Sequence, residues 1–158
     1  MFVLGIDPGL KTTGYAVASP DSVMAIGVIR TEPNQPVSVR LLEIQRDIAE
    51  LIRVHEPEAM ALEQVFVNRN LHTAMSVVRA SGAAMVAAAA AGIPVLEYSP
   101  SKVKAAVAGY GSATKEQVQR MVASRMRLSR VPEPADAADA LAVALCHLQE
   151  EGLRRRVP

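Results

Sequence analysis

The chain has no tryptophan, one cysteine, three histidines and an aromatic content of only 3 %. A single cysteine, Cys146, excludes an intramolecular disulfide, so nothing marks an oxidising compartment and a cytoplasmic location is expected. His55, His72 and His147 are far apart in the chain, and Cys146 has no partner at ligand spacing, which excludes a recognisable zinc pattern. The amino terminus has no basic segment and meets Gly5 and Asp7 at once, so it is not expected to be a signal peptide. The longest run poor in charge, residues 80–96, is interrupted by Gly82, Gly92 and Pro94. It falls short of the ~20 apolar residues of a membrane span, and is expected to be buried, with no membrane contact.

Half of the 158 residues are hydrophobic, which is enough for one well-filled core and argues against disorder. With no repeat and no linker, the chain reads as one domain over residues 1–150 and a basic tail over 151–158 that includes Arg154, Arg155 and Arg156. Net charge is +1, but its distribution is uneven. Residues 40–63 hold six acids and three bases, whereas residues 101–130 hold seven bases and one acid, Glu116. The second segment could meet a phosphate backbone with a field of one sign, or simply form solvated helix faces.

Periodicity predicts strands at residues 2–6, 15–18, 23–29, 59–65 and 94–98. Helices are expected at 36–55, 71–91, 99–108, 114–128 and 135–150, with a glycine-bearing loop at 109–113. Three strands joined by short turns imply an antiparallel meander, and the later strands, separated by helices, imply parallel pairing. The result is an α/β fold with a mixed five-stranded sheet flanked by helices, the order of a ribonuclease H-like architecture. A right-handed crossover allows the first and fourth strands to lie side by side. Asp7 and Glu63 then reach the same edge of the sheet.

Four carboxylates stand out against apolar surroundings. Asp7 ends a buried strand just before Pro8-Gly9, where it could also be ordinary turn chemistry. Glu63 follows Ala59-Met60-Ala61-Leu62 in a strand expected near the centre of the sheet, where β-propensity gives no reason for it. Asp136 and Asp139 are three residues apart, on one face of a helix that is otherwise alanine on that turn. A helix amino terminus favours acids in any case, but the alanines would also let this one approach the sheet closely. Gathered together, four acids would repel one another unless cations neutralised them; magnesium, with its preference for oxygen ligands, is the expected partner.

Leu4-Gly5-Ile6-Asp7-Pro8-Gly9 with Thr13-Gly14-Tyr15, Leu62-Glu63-Gln64-Val65-Phe66, Gly109-Tyr110-Gly111-Ser112-Ala113 with Lys115, and Asp136-Ala137-Ala138-Asp139-Ala140-Leu141-Ala142 together resemble the RuvC family of Holliday-junction endonucleases. The likeness runs from Met1 to about His147. It implies a ribonuclease H-like fold, a homodimer, and symmetric paired nicks in a four-way DNA junction during recombination and repair. Two Mg2+ ions per site, or Mn2+ in their place, would be held by Asp7, Glu63, Asp136 and Asp139. Lys115 joins the catalytic set by the same resemblance. Phe66, Arg69, Lys104, Ser112 and Lys115 become DNA contacts, and RuvA and RuvB become partners; no nucleotide cofactor is expected. The chain departs from many relatives at Val77-Val78-Arg79-Ala80-Ser81-Gly82, and it has aspartate at position 136 where some have histidine.

Two other classes remain for comparison. Gly5-Ile6-Asp7-x-Gly9 also resembles the phosphate loop of actin-like and sugar-kinase phosphotransferases, but these close two such domains around ATP and this chain has length for one. A non-catalytic junction-binding protein would need the basic field without the four acids. The long alanine-rich helix after Asn70 is either a core helix or a self-complementary dimer contact.

Overall fold

Alternating apolar residues and two short turns set the first half of the sheet. The computed structural model describes residues 1–66 and 70–156. Strands β1 (Val3–Asp7), β2 (Thr12–Ala18) and β3 (Val23–Arg30) pair antiparallel, as the short connections require. Helix α1 (Val37–His55) then crosses to β4 (Ala59–Glu63), and α2 (Leu71–Ala90) crosses to β5 (Val95–Tyr98). Both crossovers deliver parallel strands, giving the order β3-β2-β1-β4-β5. Helices α3 (Pro100–Ala108), α4 (Lys115–Arg125) and α5 (Ala135–Arg154) complete the chain. The expected mixed sheet, three antiparallel strands followed by two parallel ones, is present.

The sheet separates two cores. On one side, Leu4, Ile6, Val17 and Leu62 pack against Ile44, Ile48 and Ile52 of α1 and small residues of α2. Those isoleucines recur every four residues, which places them on one helix face. On the other side, α5 lies on the sheet, with α3 and α4 beyond it. Tyr98, at the end of β5, is tied to α5 by a 2.7 Å hydrogen bond between its hydroxyl and His147 Nδ1. Cys146 is buried and unpaired in the same core.

Boundaries differ from the sequence expectation where tertiary contacts decide. β2 starts at Thr12, because Thr12 and Thr13 pair with Arg30 and Ile29 of β3. Helix α4 stops at Arg125, since Arg127 turns left-handed (φ 52°) and the Leu128 amide bonds back to the Ala123 carbonyl. Helix α5 continues past residue 150 to Arg154, whose guanidinium reaches Glu150 and Glu151 one turn back, so the first residues of the expected tail are helical.

Helix α2 departs further. Over its 20 residues it is long and apolar enough to cross a bilayer, which residues 80–96 taken alone do not suggest. Nor is the expected burial of residues 80–96 complete: Ala80, Ala84, Ala87 and Ala88 enter the core, while Val86 is exposed, as are Leu71, Met75 and Val78 earlier in the helix.

Candidate active site

The pairing Ile6↔Leu62 between parallel β1 and β4 carries Asp7 and Glu63, one residue further on, to the same edge of the sheet. The turn after Asp7 is closed without it. Thr13 Oγ1 donates to the Gly9 carbonyl at 2.6 Å and accepts from the Gly9 amide, so the threonine does the capping that Asp7 could have done. Helix α5 brings Asp136 and Asp139 from the far end of the chain. Its approach depends on two glycines: a Cβ at Gly5 would overlap the Ala140 carbonyl oxygen, and one at Gly14 would overlap that of Asp136. Backbone therefore approaches backbone across β1, β2 and α5, which glycine at these two strand positions permits. The acids and alanines of α5 stand out in the sequence, whereas this role of the glycines does not.

Crowding is visible in the electrostatics. The Asp7 carboxyl is pushed up to about 8, first by burial and then by the negative charges of Glu63, Asp139 and Asp136, with Lys115 acting in the opposite sense. Glu63 is raised in the same direction by burial and Asp139, against Lys115, Lys104 and a hydrogen bond with Asp7. Lys115 Nζ lies 2.7 Å from Asp139 Oδ2, and this contact raises the lysine above its ordinary value. Among the described residues, no three acidic, histidine or cysteine side chains already converge on one point at ligating distance. The four acids share one edge, with Lys115 seated on Asp139.

Lysine 115 opens α4, and the start of that helix is fixed by a capping box between Thr114 and Gln117. Together with Lys104 of α3, it lines a cleft of about 230 Å³ whose other polar walls are Glu63 and Asp139. The remaining bases of residues 101–130 are less available than their number suggests. Lys102 pairs with Glu150 at 2.6 Å, and Arg125 is turned onto the Ala106 carbonyl and Gln149. Ser112 is exposed in the loop before α4, and Phe66 is 54 % exposed just beyond β4, an unusual position for a phenylalanine unless something covers it. Arg69 lies outside the described residues.

Comparison with known proteins points to one family. The profile of the family described as crossover junction endodeoxyribonuclease RuvC matches residues 3–147. The RuvC of Salinispora arenicola is 47 % identical over 162 residues, covering 99 % of this chain and 93 % of its own. That of Syntrophomonas wolfei is 49 % identical over 152 residues, covering 94 % and 88 %. The Thermus thermophilus RuvC, solved in complex with a Holliday junction substrate, superposes with a TM-score of 0.93 at 38 % identity over 98 % of this chain and 96 % of that one. Matched over nearly its whole length, this chain belongs to the RuvC family of crossover junction endodeoxyribonucleases.

Proposed function

We propose that the protein resolves four-way DNA junctions by nicking two opposing strands, with Asp7, Glu63, Asp136 and Asp139 as the ligands of two Mg2+ ions in each protomer. The observation that carries this reading is the arrival of four acids from β1, β4 and α5 at one edge, where burial and like charge push Asp7 to about 8. Such a cluster is costly to ionise unless cations share it. Its donors are all hard carboxylate oxygens, which fits Mg2+ or Mn2+ rather than zinc. Divalent ions held there would polarise the scissile phosphodiester and lower the pKa of the attacking water.

The chain's own residues then divide the remaining work. The carboxylates would hold those ions between β1 and α5 and through them position the reacting phosphate, and the cut leaves a 5′-phosphate end. Lys115, fixed at the start of α4, offers a cation to the charge that grows on the phosphate oxygens. Lys104 lies on the same cleft and binds backbone phosphate. Phe66 stacks on a base near the crossover, with Ser112 and Arg69 as further contacts. Two symmetric cuts need two symmetric sites, and the exposed apolar residues Leu71, Met75, Val78 and Val86 of α2 support a homodimer formed through that helix. RuvA and RuvB are the branch-migration partners that family membership suggests, and the cytoplasm is where all of them would meet DNA.

The test is a synthetic four-way junction incubated with Mg2+ and either wild type or Glu63→Gln. Paired nicks are expected from the first. The second is expected to bind without cutting, slower by about 10³-fold on the scale of losing a preorganised charge at a phosphoryl centre. Equal cutting by both removes Glu63 from the mechanism.

A further inference from the structure

A second, larger depression shares no lining residue with the Lys104 and Lys115 cleft and reaches the acid cluster at Asp136. It measures about 520 Å³ and runs between the β1–β2 turn, α1 and the first half of α2. Its charged and titratable lining consists of Lys11, Arg40, His72 and Arg79, with Asp136 as the one acid.

Arg40 sets this groove apart from a solvated basic face. It is only 9 % exposed, yet among the described residues no carboxylate pairs with it. Its one side-chain hydrogen bond among these residues runs from Nε to Thr31 Oγ1 at 2.8 Å. Thr31 is itself buried and donates to the Leu10 carbonyl at 2.6 Å. The guanidinium is thus aimed by a fixed relay from the β1–β2 turn while its two terminal nitrogens keep their donors. Those nitrogens are not sealed from solvent, and guanidinium donors in a fixed fork match a phosphate. Lys11 stands on the same turn, exposed at the mouth of the groove.

Resting on the nuclease reading above, we propose that this groove is a phosphate receptacle for the DNA strand being cut. Arg40 and Lys11 grip a backbone phosphate on the side of the scissile bond that faces Asp136. The acid cluster would then lie between two basic depressions, one ending on Glu63 and Asp139 and the other on Asp136. A strand drawn across both is held on each side of the bond that breaks, which fixes its direction through the site.

The test uses full-length protein carrying Glu63→Gln to stop cutting, with Lys11→Ala or Arg40→Met added. Binding to a four-way junction is measured across a salt series. Each added change is expected to weaken binding roughly 5- to 10-fold near 0.1 M salt and to lower the slope of log K against log salt by about one, the signature of one lost phosphate contact. Arg40→Lys should restore part of the slope. Unchanged slopes for both Lys11→Ala and Arg40→Met overturn the proposal, and if Arg40→Met does not fold, Lys11→Ala decides alone. Dissociation of a dimer by Arg40→Met with the slope intact would assign the groove to a second copy and equally overturn it. Wild type without Glu63→Gln is run alongside for cutting: loss of nicking there sinks the nuclease reading, whereas nicking with unchanged slopes in the variants sinks only the groove.

Discussion

Helices α2 and α5 are both 20 residues long and both rich in alanine, yet they relate to the sheet in opposite ways. Eleven residues of α5 are buried, against six of α2, and only α5 meets strand backbone directly. Composition does not separate them. The difference lies in what faces the alanines: Gly5 and Gly14 on the sheet leave room for α5 to settle, while α2 rests on the bulky side chains of Leu4, Ile6 and Leu62 and the isoleucines of α1. Close approach serves the site, because a helix held a few ångströms higher would lift Asp136 and Asp139 away from Asp7.

The most forceful way to break this contrast is to add a methyl group where α5 sits. Gly14→Ala is expected to cost about 1–3 kcal/mol through overpacking. It should also slow junction nicking by roughly 10–100-fold, since displacements near 1 Å at a reacting centre have effects of that order. Thermal melting and single-turnover nicking measure the two quantities separately.

A second expectation concerns pH. Asp7 binds its proton more tightly folded than unfolded, so between its ordinary value of 3.8 and about 8 the folded state holds more protons and stability falls as pH rises. Glu63 shifts the same way and adds to the slope. In chelator, each pH unit in that window should remove up to about 1.4 kcal/mol, roughly 3–5 °C in Tm. Mg2+ added near pH 8 should reverse the loss, and Asp7→Asn should flatten the profile and abolish the Mg2+ effect.

On α2 the same glycine experiment should change sign. A Cβ at Gly82 meets nothing within 4 Å, so Gly82→Ala is expected to stabilise the protomer by about 0.5–1 kcal/mol through helix propensity. Smallest of all in stability should be Met75→Glu on the exposed face, within about 0.5 kcal/mol of wild type by melting. That variant should nevertheless sediment as a monomer, and a dimer that survives it would place the self-contact elsewhere.

How much of this was legible beforehand depended on whether a residue broke the pattern around it. Glu63 stands out because charge in an apolar strand has no local explanation, and the Asp136 and Asp139 pair because a helix start explains the acids but not the alanines around them. The strand order followed from connection lengths and handedness. Gly5 and Gly14 were invisible because glycine in a strand has several readings, and only the tertiary neighbour selects one. Arg40 was hidden for a similar reason: within α1 it counted as one more charged residue on a helix, and its burial beside Thr31 arises from a turn nine residues earlier. Lys102 and Arg125 erred in the other direction, counted in a basic field that Glu150 and Gln149 partly satisfy.

Asp7 lies in the first strand and Asp139 in the last helix, so the acids of one pocket are separated by nearly the whole polypeptide. A proteolytic fragment or an unfinished translation product that stops before Asp136 retains two of them, and also lacks the helix that roofs β1 and β2. On the proposed assignment of the four acids, such a product is expected not to nick a four-way junction, because α5 must be made and folded before Asp136 and Asp139 can reach Asp7.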